Sequence, residues 1–423
     1  MSEQSHTRRQ PTGATLSPEE QIDEWLRKPE IGLRFDPFRI RDAGSDPRLS
    51  WYLVDHGAFT RLWGDRPSFV FAPAGGGKTA FRVRLTHACR AGEGARLIFP
   101  VVVAALDPTR PCELLLTQAA ASELLFHLLY FPQRFITRNG NLQPSIRDFL
   151  DENLETVLKH RLDQLDDLLD AIQADHNWER LAESFDPAAG NLTSPPPVAM
   201  ARQMIASLRA PLSSVSRQAG PSDHFNQLHA LLREMGYQAI YVLVDGVDAY
   251  PEAQRGPAAI EALRPLLEHT AEWAGEHIYV KYFLPVELLN PMQTGYADLL
   301  TNLADVAIIN WDAGTLREVI SRRLMAASEE YRAVSSLDAL STPALRDAES
   351  ELLQIARPLP RDLVLLVEQM FVEHVLRVGP QGRLEPADLD AAIRWYRRPG
   401  SGIADLSGLQ CFQGGMMADN KQG

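Results

Sequence analysis

The 423-residue sequence has few cysteines, few lysines and no long apolar run. Its three cysteines, Cys89, Cys112 and Cys411, lie far apart. Their spacing excludes a compact cysteine metal site and fits a reducing compartment. No stretch approaches the roughly 20 apolar residues of a membrane span, and the polar first ten residues do not resemble a secretory signal. We therefore expect a cytoplasmic protein that makes no membrane contact.

The charge balance limits the classes of partner. The formal net charge is −13 at pH 7, which argues against a dedicated non-specific nucleic-acid binder. Arginine supplies most of the basic residues, and lysine occurs at only a few positions. One of these, Lys78, directly follows a run of glycines, where a compact positive charge has a specific use.

The residues at 72–79 form a glycine-rich octet between an apolar run at 68–71 and a predicted helix at 79–91. A strand, a glycine-rich turn and a helix N-terminus in this order are typical of a phosphate-binding loop. Ala72 replaces the glycine that usually begins the motif. We expect Lys78 to reach the β- and γ-phosphates, with a catalytic role, and the Thr79 hydroxyl to ligate Mg²⁺. The residues predicted to bind the nucleotide are Pro73, Ala74, Gly75, Gly76, Gly77, Lys78, Thr79 and Ala80.

A second apolar run, at 239–244, ends in Asp245. A carboxylate at the tip of a buried strand matches the second Mg²⁺ site of a phosphate-loop NTPase, so Asp245 is the predicted metal residue beside Thr79. Gly246 stands where many such ATPases have a glutamate. Asp248 is the candidate catalytic residue for positioning the attacking water, with a turn or helix-cap role as an equal alternative. We expect hydrolysis to be slow.

The apolar runs predict an α/β fold. Five strands are expected at 68–71, 97–105, 239–245, 278–284 and 305–309, each separated by helix, which implies a parallel sheet covered on both faces. Leucines at 150–172 recur at the spacing of one long amphipathic helix. We predict a disordered tail and N-terminal helix at 1–34, the NTPase core at 35–111 and 238–311, a helical insertion at 112–237, a helical lid at 312–398 and a flexible tail at 399–423.

The glycine loop and the motif Asp245 to Asp248 together resemble P-loop NTPases of the ASCE division. Within that division they are similar to the STAND class of signalling ATPases, which includes NACHT-type proteins, and to the origin-recognition branch of AAA+ proteins. The resemblance implies a five-stranded core, a helical lid, adenine as the base, and ATP and Mg²⁺ as cofactors.

The resemblance also implies roles for residues near the lid. Arg361 would be a catalytic sensor arginine and Pro360 would line the adenine or ribose; the alternative is a helix start with a solvated arginine. Lys281, Arg322 and Arg323 are further candidates for a sensor or a finger to a neighbouring subunit. A paired lysine in a buried strand and a solvated helix face are the alternatives.

The expected function is an ATPase that acts as a nucleotide-dependent switch. Nucleotide would lie between core and lid, with the segment 52–59 over the adenine, and the insertion at 112–237 would contact a separate protein effector. A homo-oligomer is expected in one nucleotide state, and bacterial defence or signalling is the context by analogy. Two alternatives stay open: a DNA-acting loader of origin-recognition type, which the acidity disfavours, and a non-hydrolysing ATP-bound scaffold.

Overall fold

The computed structural model describes residues 16–104, 112–136, 198–209, 221–247 and 256–398, together with isolated positions between 106 and 185. These residues form two compact units. One unit contains 40–315 and 358–361, and the other contains 16–39, 316–357 and 362–398. Asp248, both predicted tails beyond these bounds and almost all of the predicted helix at 150–172 lie outside the described residues. The domain bounds expected from the sequence stay predictions.

The first unit is built on one sheet. Its strands are β1 Ser68–Ala72, β2 Ile98–Val103, β3 Ala239–Val244, β4 Ile278–Pro285 and β5 Asp305–Ile308. All neighbours pair in parallel, in the order β2-β3-β4-β1-β5. The predicted five-stranded parallel sheet is confirmed. Pro100 lies within β2, which is an edge strand and tolerates a residue without an N–H donor.

Helices follow the strands in alternation. In chain order they are α1 Pro18–Leu26, α2 Leu49–Tyr52, α3 Ala58–Leu62, α4 Lys78–Ala91, α5 Cys112–Tyr130, α6 Val198–Arg209, α7 Pro221–Glu234, α8 Gly256–Gly275, α9 Leu289–Gly295, α10 Ala313–Ala327, α11 Ala348–Ile355, α12 Pro360–Val378 and α13 Pro386–Tyr396. Short 3₁₀ turns occur at Glu93–Ala95, Pro132–Arg134, Val286–Leu288 and Leu337–Leu340, and a π turn at Leu299–Leu303.

Successive residues of each strand face opposite sides of the sheet. Val70 and Ala72 belong to a hydrophobic cluster that includes residues of α3 and α4. Phe69 and Phe71 belong to the cluster on the other side, which includes residues of α5, α6, α7, α8 and α9. The described helices between 112 and 237 therefore share the core of the sheet. Their expected role as a partner surface stays a prediction.

A buried ion pair joins the far end of α4 to α5. Arg90 donates to both carboxylate oxygens of Glu123, at 2.8 and 2.6 Å, and His127 Nε2 lies 3.1 Å from the same carboxylate. Burial alone would raise the pKa of Glu123, but Arg90 and His127 outweigh it and bring that pKa down to about 2. The carboxylate is therefore charged at neutral pH, and it ties the helix after the glycine loop to the segment 112–136.

Parallel pairing places the carboxyl ends of all five strands at one edge of the sheet. The loop after β1 and the residue after β3 therefore lie at the same edge, with β4 between the two strands. The chain leaves β1 for β2 at the far side of the sheet, whereas after β4 it crosses β1 to reach β5. Such a reversal of direction is where open α/β sheets bind ligands.

The second unit is helical. Ser17 and Glu20 form the reciprocal hydrogen bonds of a capping box at the start of α1. Trp25 on this helix is fully buried. Its ring packs edge-to-face on Phe371 of α12 at 5.2 Å, and its indole N–H donates to the Gly382 carbonyl at 3.0 Å. The segment 16–39 thus shares a core with the C-terminal helices.

Two residues of the sequence predict helix starts, and the structure confirms one of them. Because proline suits the first turn of a helix, Pro343 predicts a helix at 344–356. This prediction was wrong: α11 begins only at Ala348, and Asp347 before it has a φ of +56°, which a continuous helix does not allow. Asp312 is a predicted N-cap for a helix at 316–327, and its Oδ1 accepts the Thr315 N–H at 2.8 Å.

The two arginines considered as a finger have local partners in the second unit. Arg323 is buried and donates to the Pro37 carbonyl. Arg322 pairs with Glu318 one turn earlier on α10, at 2.8 Å between Nε and Oε1. Arg323 therefore helps to hold the segment before residue 40, and Arg322 has the partner expected of a helix-surface residue.

Lys281 is a fully buried lysine in β4. Its Nζ donates to the Gly64 and Arg66 carbonyls, at 2.8 and 2.7 Å, and to Ser68 Oγ at 3.2 Å. The register pairs Lys281 with Ser68, the first residue of β1, so it lies away from the sheet edge that carries the glycine loop. Lys281 therefore anchors the chain entering β1. Burial lowers the pKa of Lys281 to about 7.

This pKa predicts a specific pH dependence of stability. The unfolded chain binds the Lys281 proton more tightly than the folded chain between about pH 7 and pH 10.5, so this residue's contribution to stability rises with pH in that window. In urea unfolding, wild type should gain about 2 kcal/mol relative to Lys281→Met between pH 7 and pH 9. Parallel stability profiles for the two proteins would contradict the burial of a titrating amine at this position.

Candidate functional site

The glycine loop follows β1 and forms a tight turn into α4. The Gly76 N–H donates to the Pro73 carbonyl at 2.9 Å. Gly75 and Gly77 have φ angles of +79° and +95°, a region in which glycine is strongly preferred. Gly77 is the residue that caps the N-terminus of α4. The predicted nucleotide-binding residues at 73–80 are thus placed together, on this turn and on the first turn of α4.

Gly76 is required for a different reason, namely space. A Cβ atom on Gly76 would lie 2.9 Å from the Pro73 carbonyl oxygen and 3.0 Å from Ala72 Cβ. The loop therefore closes on itself without side chains. Ala72, at the first position of the motif, is the last residue of β1. Its backbone is extended, which alanine adopts without strain, so this position does not require a glycine.

Lys78 begins α4 and is largely buried. Its Nζ curls back to the loop and donates to the Ala72 and Pro73 carbonyls, at 3.2 and 3.4 Å. An ammonium group has three donors and can exchange such bonds for bonds to a stronger acceptor. The arrangement therefore holds a positive charge over the loop, next to the N-terminal end of the helix, where partial positive charge already accumulates.

Asp245 directly follows β3 and is buried. Its Oδ1 accepts the Gly246 N–H at 2.8 Å, and its Oδ2 lies 3.3 Å from Arg82 Nε on α4. Gly246 has a φ of +67°, which a glutamate would adopt only with strain. The backbone at this position therefore favours the glycine that stands there.

Arg361 lies against the glycine loop. Its backbone N–H donates to the Gly75 carbonyl at 3.4 Å. A Cβ atom on Gly75 would lie 2.9 Å from Arg361 Cβ, so the two residues are in close contact. Pro360 directly precedes Arg361 and is the first residue of α12. The structure therefore brings the predicted sensor residue to the loop, while its role there stays a prediction.

Two aromatic residues contact the site, and one of them, Trp311, was not identified from the sequence as a site residue. The Trp311 indole N–H donates to the Gly76 carbonyl at 2.9 Å, and its Cζ2 lies 3.4 Å from the position of a Cβ on Gly77. His56 packs at 5.3 Å from the Trp311 ring and 5.5 Å from the Phe81 ring. His56 belongs to the segment expected over the adenine. The sequence feature that could have identified Trp311 is its position shortly after β5, at the sheet edge that carries the loop.

The residues present fit a bound nucleotide. The loop offers three glycines without side chains of their own, a lysine and a helix N-terminus, which together suit a polyphosphate. The Thr79 hydroxyl and the Asp245 carboxylate are oxygen donors of the kind that Mg²⁺ prefers. Among the described residues, no group of three or more His, Cys, Asp or Glu side chains could hold a metal alone.

Comparisons with known proteins add no assignment. No protein-family model, no curated protein and no solved structure matches the chain. In the part of the chain that the structure covers, no helix has the length and apolar character to cross a membrane. The case for the site therefore depends on the sequence motifs and on the geometry given above.

The close packing at Gly76 predicts a large effect of a small substitution. Gly76→Ala should lower the free energy of unfolding by about 1–3 kcal/mol, because the added methyl group meets backbone that cannot move aside. The measurement is urea unfolding monitored by circular dichroism. Gly275→Ala is the matched control, since open space surrounds Gly275 at the end of α8. Equal stability of the two variants would show that the loop is not closed as described.

Proposed function

We propose that this chain binds ATP at the glycine loop and acts as a nucleotide-dependent switch on a separate protein partner. The observation that supports the proposal most strongly is the loop itself. Gly75 and Gly77 adopt left-handed conformations at the start of α4, and Lys78 folds back over the turn. A loop built only for connection would not need this combination of backbone and charge.

Each group at the site would have a distinct task. Backbone N–H groups of the loop would bind phosphate oxygens, and Lys78 would exchange a loop carbonyl for the terminal phosphates. Thr79 and Asp245 would hold Mg²⁺, whose charge offsets that of the phosphates. Trp311 and His56 offer aromatic surface beside the loop for the base, and adenine is the base that the family resemblance favours.

Coupling to a partner would begin at Arg361. This residue contacts Gly75 through its backbone, and the segment 358–361 continues directly into α12. A phosphate group bound in the loop would attract the Arg361 guanidinium, and this attraction is missing when the loop holds no phosphate. This difference in interaction free energy between nucleotide states is what a switch requires. An oligomer in one nucleotide state and a role in bacterial defence or signalling remain part of the same proposal.

A non-hydrolysing scaffold is the second candidate, and Gly246 is the observation that favours it. The left-handed conformation at this position would strain a glutamate directly after Asp245. Asp248, the other candidate for positioning water, lies outside the described residues. Both candidate functions share ATP binding and differ in turnover.

The binding proposal predicts the effect of removing the lysine. Lys78→Ala should weaken ATP affinity by about 100-fold, because a charge-assisted bond to phosphate is lost. Isothermal titration calorimetry with ATP and Mg²⁺ measures this change, and circular dichroism verifies the fold. Lys28→Ala, in the helical unit, should bind ATP like wild type. Unchanged affinity in a folded Lys78→Ala protein would refute the proposed site.

The turnover of the isolated protein separates the two candidate functions. We expect a rate below about one per second, the low end of the usual range for enzymes, because no glutamate follows Asp245. Phosphate release under saturating ATP measures this rate. A rate far above one per second would mean that another residue activates water efficiently. A rate of zero with intact ATP binding would favour the scaffold.

A further inference from the structure

Arg82 is a buried arginine of α4 that contacts the candidate site. It lies four residues after Lys78 and three after Thr79, so it is a neighbour of each of them on the helix surface. Its Nε is 3.3 Å from Asp245 Oδ2, and the side chains of both residues are only 4% exposed. The guanidinium therefore occupies the carboxylate that would hold Mg²⁺.

A second segment of the chain lies near Arg82. It is the turn at residues 42–45, in which the Ser45 N–H donates to the Asp42 carbonyl at 3.2 Å. A Cβ on Gly44 would be 3.3 Å from Asp42 Oδ2, 3.4 Å from Thr79 Cγ2 and 3.8 Å from Arg82 Nη2. The turn is thus within van der Waals reach of Thr79 and of the Arg82 guanidinium, whose Nε contacts Asp245.

We propose that Arg82 gates the metal site by holding Asp245 in an ion pair until a nucleotide binds. This inference rests on the proposed ATP site and specifies its regulation. A buried guanidinium that loses its carboxylate is costly unless it gains another anion. Mg²⁺ alone brings no such anion. The phosphates of ATP do, and Arg82 shares the helix face of the residues expected to bind them.

The gate has a consequence for the response to Mg²⁺. In wild type without the metal, a bound nucleotide draws the Arg82 guanidinium to its phosphates, where the guanidinium still offsets part of the charge of Asp245. Mg²⁺ then adds only a modest gain in ATP affinity. In a protein without the guanidinium, the Asp245 carboxylate and the phosphates repel each other unless the metal lies between them, so Mg²⁺ should increase ATP affinity more strongly.

The test compares ATP-analogue affinity with and without the metal. Calorimetric titrations with the non-hydrolysable analogue AMP-PNP, in EDTA and in excess Mg²⁺, give the factor by which Mg²⁺ tightens binding. We expect this factor to be about tenfold larger in Arg82→Gln than in wild type, the size of one charge-assisted hydrogen bond. Arg84→Gln is the matched control on the same helix, because Arg84 pairs with Glu93 instead. Its factor should equal that of wild type.

The possible failures can be told apart. Equal factors in wild type and Arg82→Gln would overturn the gate while leaving ATP binding intact. Absence of AMP-PNP binding in wild type under both conditions would overturn the proposed function itself. If Arg82→Gln does not fold, Arg82→Lys provides the same comparison, since it keeps a charge but loses the planar donor set. An intermediate factor in that variant supports the gate, and an unchanged one overturns it.

Discussion

The parallel pairing of β1 with β4 and β5 is the constraint on which the candidate site depends. This pairing fixes where β1 ends, and it brings the glycine loop to the edge that also carries Asp245 after β3 and Trp311 after β5. The helix that follows the loop then covers one face of the same sheet. Backbone hydrogen bonds between strands thus bring a glycine-rich turn, an acidic residue and an aromatic side chain to one edge, although they lie far apart in the sequence.

The charged side chains at this edge have partners within the protein. Lys78 is held by loop carbonyls, and Asp245 is held by Arg82 and by the Gly246 N–H. Buried charges need partners, so each group is satisfied within the protein before any ligand arrives. A nucleotide would have to exchange these internal contacts for its own. Binding would therefore be coupled to local rearrangement, which is the property that a switch needs.

The sequence predicted the parallel sheet and the order of strand, glycine turn and helix, because both depend on local patterns. Buried parallel strands appear as continuous apolar runs, and the glycine motif is compact. Arg82 and Trp311 were not recognised as site residues, since their importance comes from contacts between distant segments. The partners of Lys281 could not be predicted either, because a single lysine in a strand does not show which backbone carbonyls its ammonium group will contact. The sequence shows that Gly246 is not a glutamate, but it does not show the left-handed backbone angle of this residue.

The most direct test of the account is hydrogen exchange across the glycine loop. If the loop N–H groups bind phosphates, adding about 1 mM ATP with Mg²⁺, the upper end of common Michaelis constants, should slow exchange in peptides that cover residues 72–80. The residues around Asp245 should show protection in the same experiment. Unchanged exchange at the loop, or protection confined to another part of the chain, would contradict the claim that this turn is a nucleotide site.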